Sequence, residues 1–168
     1  MKSMGVAVYN TKNVEFGPKR PGDVGHDLYA VVDHRNIFDL ILSLILGKKV
    51  VILWPIVGQR TLGSGLALIM PVDIWCEIRP RSSTSKKKLI VQSGTIDSGY
   101  MGELFTVIHN YGLVPRIIAD GERYAQVIFY PAVRPMTYEI ALPTYEAHVN
   151  QAAGDGGRAG SGFGSTGR

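Results

Sequence analysis

The chain has 168 residues, 45% of them apolar and only 19% charged, with 20 glycines and 9 prolines. That is one domain's length with enough apolar residues for a real core, and a charge fraction below the usual share for a soluble domain. The net charge of +4 suits a phosphate-bearing ligand without specifying one, and the single cysteine, Cys76, excludes an intrachain disulfide.

Taken in chain order, short β-type runs recur with turn residues between them. They are "VAVYN" at the start, then "VVILWP", "SGLALIMP", "IWCEIRP", "KLIVQ", "ELFTVIHN", "RYAQVIFYP" and "MTYEIALP". This density of strands predicts an all-β sandwich, barrel or jelly roll. Within "ELFTVIHN", Leu104, Thr106 and Ile108 face one way and Phe105 and Val107 the other, so the strand is expected to be buried on both sides. Cys76 lies in the apolar run "VDIWCEIRP" and reads as a buried core thiol. "RYAQVIFY" places Arg123 and Gln126 in an apolar strand, where they need partners.

Residues 34–49 break the pattern. Asn36 can cap a helix, Gly47 can stop it, and Lys48 and Lys49 suit its C-terminal end. The segment is apolar almost all round and has to cover itself against the body, another subunit or a partner. Its apolar run is about half of the ~20 residues that span a bilayer, so no membrane crossing is expected. Residues 1–10 lack the charged and apolar blocks of a signal peptide, which predicts a cytoplasmic protein. From Ala152 the chain turns glycine-rich, dividing a β domain over 1–151 from a flexible arm over 152–168.

Five segments carry polar chemistry. In "GHDLYA" (25–30), Asp27 sits between a glycine turn and apolar residues, as an Asx-turn would place it. In "RPRSSTSKKK" (79–88), Arg81, Ser82 and Ser83 can form an anion site. The same stretch also reads as a solvated turn, or as a nucleic-acid patch through Lys86–Lys88, against which the lack of interleaved aromatics counts. In "GTIDSGYMGEL" (94–104), three glycines surround Asp97, which can orient a water and take its proton, and Tyr100, which offers a flat face. "RYAQ" (123–126) is the fourth. The fifth, "RAGSGFGSTGR" (158–168), reads as a floppy tail or as a lid, with Phe163 stacking on a base and Gly164, Ser165, Thr166 and Arg158 on phosphates. The histidines are scattered and no paired cysteines occur, so no protein-ligated metal is expected.

In this order the five segments resemble the five motifs of the trimeric dUTPase family, over residues 5–33 and 50–168. The third and fifth are the specific ones. The resemblance implies a jelly-roll subunit in a homotrimer, a C-terminal arm exchanged between chains, and three sites each shared by three chains. It implies hydrolysis of dUTP to dUMP and pyrophosphate with Mg²⁺ carried on the triphosphate. Asp97 would hold the water that attacks the α-phosphorus, and Tyr100 would pack under the deoxyribose. Backbone at Gly94, Thr95 and Ile96 would read uracil. Arg81, Ser82, Ser83 and Gln126 would bind phosphate oxygens, Asp27 would support the Mg²⁺ water shell or the site network, and Arg123 would pair inside the core. Phe163 would stack on uracil, Gly164, Ser165 and Thr166 would wrap the β- and γ-phosphates, and Arg158 would neutralise the γ end. Ala159 departs from the glycine usual after the motif's arginine. Residues 34–49 have no counterpart in the family pattern and offer a surface for an unknown protein partner.

Two other readings stand beside this one. The dCTP deaminases share the fold and a "PRSS"-like motif, but need a glutamate where Val107 stands here and lack the "GFGSTG" arm. A regulatory protein built on the same scaffold is suggested by residues 34–49 and opposed by the full set of presumed catalytic side chains.

Overall fold

Turn residues cut the chain into short antiparallel strands, as the pattern predicts. The computed structural model describes residues 5–33 and 36–154. Its strands are β1 (Ala7–Asn10), β2 (Gly25–Tyr29), β3 (Val50–Leu53), β4 (Gly58–Ile69), β5 (Ile74–Pro80), β6 (Leu89–Val91), β7 (Gly94–Ile96), β8 (Glu103–Asn110), β9 (Arg116–Ala119) and β10 (Arg123–Pro131). Three helices join them: α1 (Ile37–Leu46), α2 (Ser82–Lys86) and α3 (Leu142–Gly154). The chain divides into two compact units, Met1–Val133 and Arg134–Arg168.

The first unit is all-β. One four-stranded sheet runs β1-β4-β8-β6, a second runs β2-β10-β5-β7, and β3 pairs with β9 as a two-stranded ribbon. A single apolar core draws on all three: Leu28, Ile78 and Val127 from the second sheet, Leu66, Leu104 and Ile108 from the first, Leu53 and Ile118 from the ribbon. Each such side chain contributes roughly 1.5–3 kcal/mol of burial. Tyr124 is also buried, and its hydroxyl donates to the Leu62 carbonyl at 3.1 Å. Burial raises its pKa, and the Glu103 carboxylate adds to the effect.

Cys76 is fully buried on β5, as expected, and desolvation pushes its thiol up to about 12.

β8 departs from expectation. Leu104, Thr106 and Ile108 are buried, but Phe105 on the other face is 55% exposed within one chain. The alternation was right, but the second face is only partly covered, with Val107 and His109 half-buried beside the exposed Phe105. "MTYEIALP" also differs. It forms no strand, and residues 132–141 are irregular. Pro135 just before it and Pro143 at its end lack the amide hydrogen a ladder requires. Leu142 then begins α3, with Pro143 in the first turn, where its missing donor costs nothing. That helix continues through Ala152 to Gly154, where loss of regular structure was expected.

α1 confirms its caps and inverts its orientation. The Asn36 side chain accepts from the Asp39 amide, and Gly47 closes the helix at φ 63°. The buried face is polar. Asp39 and Ser43, one turn apart, are 1% and 7% exposed, whereas Phe38, Leu44 and Ile45 are exposed. The reason is the free edge of β3. Its other edge pairs with β9. On the α1 side, Asp39 Oδ1 accepts the Ile52 amide at 2.9 Å. Ser43 Oγ accepts the Val50 amide at 2.9 Å and donates to the Val50 carbonyl at 3.3 Å. Two side chains thus complete the ladder where a strand is missing, which also blocks edge pairing with another chain.

Asp39→Ala leaves the Ile52 amide without its acceptor, and the expected loss is about 1–3 kcal/mol in urea unfolding. A midpoint equal to that of the wild type would show that the edge cap does not support the fold. Cys76 is expected to resist a thiol reagent at pH 8 in the folded protein and to react fully in denaturant, read by mass spectrometry.

Candidate active site

The second sheet gathers the polar segments. β10 lies between β2 and β5, with Gln126 opposite Asp27 on one side and opposite Arg79 on the other. This register sets the first, second and fourth segments side by side. Asp27, 7% exposed, is the centre of the cluster. Its Oδ1 lies 2.8 Å from Arg81 Nε and its Oδ2 accepts from Arg123 Nη1 at 3.1 Å. Arg123 therefore has the partner its place in an apolar strand required. Gln126 Nε2 donates to the Pro80 carbonyl at 3.2 Å. A Cβ on Gly25 would lie 2.3 Å from Gln126 Oε1, so glycine opens the space that this amide fills.

Arg81 is placed by the β5–α2 junction. It is the N-cap residue of α2, and its carbonyl accepts from the Thr84 and Ser85 amides. Thr84 anchors the junction by donating its hydroxyl to the Tyr124 carbonyl at 2.8 Å. Arg81 Nη1 donates to Ser83 Oγ at 3.1 Å. One guanidinium donor is thus spent on Asp27 and another on Ser83, and the others remain for a ligand.

These groups line an open cavity of about 480 Å³ with Asp27, Arg81, Ser82, Arg123 and Gln126 among its walls. Lys19, Arg20 and Asp23 line it too. They belong to none of the five segments and were missed. The signal for them was the "RPGD" turn just before "GHDLYA". Four cations face two carboxylates here, so the cavity suits a polyanion, with phosphate oxygens taking forked guanidinium donors.

The third segment lies elsewhere. β7 pairs with β5 at the far edge of the sheet from β2, three strand spacings or about 14 Å away. Thr95, Ile96, Asp97, Tyr100, Glu103 and Phe105 line a separate cavity of about 200 Å³ that shares no residue with the first. The Asp97 carbonyl accepts the Tyr100 amide at 3.0 Å, closing the turn. The Tyr100 hydroxyl donates to the Glu103 carbonyl at 2.9 Å, which holds the ring against the hairpin. Phe105, unburied on β8, supplies an apolar wall that the sequence had assigned to the core. Gly94 opens β7 but is not on the cavity wall.

Among the described residues, no group of three or more His, Cys, Asp or Glu side chains can hold a metal ion. Arg158, Ala159, Phe163, Gly164, Ser165 and Thr166 lie outside the described residues. No described helix is long and apolar enough to cross a membrane.

A family model described as dUTPase matches residues 11–166. A relative called deoxyuridine 5'-triphosphate nucleotidohydrolase, from Anaeromyxobacter sp. (strain Fw109-5), is 40% identical over 113 residues, which is 66% of this chain and 70% of the relative. Among solved structures, the Staphylococcus bacteriophage 80alpha dUTPase with dUPNHPP is similar at TM-score 0.71 and 20% identity, over 98% of this chain and 99% of that one. A mutant dUTPase from phage phi11 of S. aureus, described with a structural Mg(II) ion, is similar at TM-score 0.65 and 18% identity, over 81% and 96%.

Gly25→Ala is expected to push the Gln126 amide into the cavity rather than to unfold the sheet, because the clashing atom ends a flexible side chain. Loss of about one hydrogen bond predicts roughly fivefold weaker binding of inorganic tripolyphosphate by calorimetry, at a melting temperature close to that of the wild type.

Proposed function

The chain belongs to the dUTPase family, and we propose that it hydrolyses dUTP to dUMP and pyrophosphate at sites shared between chains of a homotrimer. The observation that carries the sharing is the separation of the two cavities. A base must lie within hydrogen-bond reach of the water it deprotonates. In one chain Asp97 lines the smaller cavity and the phosphate-binding arginine lines the larger one. A neighbouring chain that brings its Asp97 hairpin to this chain's Arg81 cavity completes the site. The exposed Phe105 face of β8 and the low charge fraction fit a chain that buries further surface on assembly.

In this reading uracil enters the smaller cavity against the Gly94–Ile96 backbone, with Tyr100 under the sugar. The triphosphate crosses into the larger cavity, where Arg81, Ser82 and Gln126 take phosphate oxygens and Ser83 steadies Arg81. Asp97 orients a water in line with the α-phosphorus and accepts its proton, and pyrophosphate leaves. Phosphoryl transfer of this kind depends on positioning and charge neutralisation rather than on a covalent intermediate. The C-terminal arm closes the site with Phe163 on the base and with Gly164, Ser165, Thr166 and Arg158 on the phosphates.

Magnesium fits this chemistry as a passenger on the triphosphate. An all-protein cage is not needed, since Mg²⁺ keeps several waters and takes phosphate oxygens. Asp23 and Asp27 line the phosphate cavity as carboxylates able to accept from its waters. Both oxygens of Asp27 already meet guanidinium groups, so its first duty is to hold Arg81 and Arg123. When bound, the ion would neutralise charge on the phosphate oxygens.

Pyrophosphate release with Mg²⁺ is expected from dUTP and not from dCTP, dTTP or UTP; ammonia from dCTP would replace this reading with a deaminase. Asp97→Asn should lower kcat about 100- to 10,000-fold while nucleotide binding persists, and a near-normal rate would remove Asp97 from the mechanism. Asp97→Asn and Arg81→Ala proteins, each inactive alone, should regain activity when unfolded and refolded together. No recovery in the mixed trimers would place each site within one chain. Deleting residues 158–168 should cut turnover severely and leave the melting temperature unchanged.

A further inference from the structure

The phosphate cavity has a rim that none of the five segments supplies. Arg20, Pro21, Gly22 and Asp23 form a tight turn, in which the Asp23 amide donates to the Arg20 carbonyl at 3.1 Å. Proline stands second and Gly22, at φ 92°, third, the arrangement of a type II turn. Pro21 fixes its own φ and Gly22 supplies the positive φ that the turn needs, which places Arg20 and its neighbour Lys19 on the cavity wall.

The two cations at the rim differ from the two inside. Arg81 and Arg123 share Asp27. Among the described residues, no ion pair or hydrogen bond engages the Arg20 guanidinium. Lys19 is set in place by the Glu15 carboxylate, with its ammonium 5.9 Å from the centre of the Tyr29 ring. The hydrogen bond to Glu15, followed by one to Tyr29, raises its pKa from the usual lysine value and keeps it charged. Of the two rim cations, Lys19 is thus paired with Glu15, and Arg20 is the one that brings a guanidinium without such a partner to the cavity wall.

We propose that Lys19 and Arg20 bind the terminal phosphate of the substrate and so select a three-phosphate chain over a one-phosphate chain. This rests on the reading that the cavity takes the triphosphate. The terminal phosphoryl group carries about −1.5 to −2 charges at neutral pH, the densest charge along the chain. A turn that is already formed meets it without the cost of ordering the backbone. Hydrolysis removes that group from the nucleotide, so dUMP has nothing to offer the rim and leaves, while dUTP is retained.

The test is calorimetric titration of Arg20→Gln, Lys19→Gln, the double variant and Arg20→Lys with three probes: inorganic tripolyphosphate, Mg²⁺–α,β-imido-dUTP and dUMP. Arg20→Gln should weaken the first two about tenfold and the double variant about 100-fold, with dUMP affinity within about twofold of wild type. Arg20→Lys should recover most of the loss. Unchanged affinity of the double variant for tripolyphosphate and the imido nucleotide would overturn the proposal, as would an equal loss for dUMP. Should Lys19→Gln disturb folding through Glu15, Arg20→Gln on its exposed turn decides the matter alone. Wild-type hydrolysis of dUTP is measured in parallel. Its absence would refute the proposed reaction, whereas the rim stands or falls on tripolyphosphate, which has no nucleoside.

Discussion

One carboxylate ties the larger cavity together. Asp27, on β2, meets Arg123 on β10 and Arg81 at the β5–α2 junction, so three segments far apart in sequence converge on two oxygens. A largely buried ion triad is weak evidence for stability, because desolvation offsets much of its attraction. What it contributes here is position. Arg81 held at Nε and at one terminal nitrogen cannot swing to solvent, and its remaining donors keep a set direction. Gly25 and Gln126 serve the same end, since the missing Cβ admits the amide that braces the Pro80 carbonyl. The rim turn adds Arg20 to the net positive charge that two arginines sharing one carboxylate already leave inside, which suits a polyanion.

The same sheet order that builds this cavity keeps the Asp97 hairpin out of it. β7 can pair only with the free edge of β5, because β10 already occupies the other. Asp97 and Arg81 are therefore not neighbours on the sheet. The trimer proposed above answers that separation by bringing a second chain's hairpin to the arginine cavity, and the exposed Phe105 fits that proposal.

α1 shows how a local rule can be overridden by a backbone requirement. Hydrophobicity would bury Phe38 and Leu44. The structure instead buries Asp39 and Ser43, because Val50 and Ile52 on β3 have ladder groups that only polar side chains can satisfy at that edge. An unsatisfied buried amide costs about as much as an exposed apolar side chain forgoes, so either orientation is affordable in principle, and here the edge of the ribbon decides.

Much of the molecule was legible in the residues. Alternating runs named eight strand regions, of which only "MTYEIALP" forms none. The helix over 36–46 was readable down to its Asn36 and Gly47 caps, since capping is a local hydrogen-bond matter. Arg123 and Gln126 declared their need for partners by standing in an apolar strand. Lys19 and Arg20 were silent because a Pro-Gly turn reads as punctuation until the cavity beside it is seen. By itself, then, the sequence determined what depends on neighbours within a few positions: strand and helix type, caps, turn sites and the chemistry of each polar segment. Which face of α1 turns inward, whether β8 is covered on both sides, which carboxylate holds which arginine and which segments share a cavity were decided only in the tertiary structure. Those outcomes depend on strand order and register, and these are set by contacts between residues tens of positions apart.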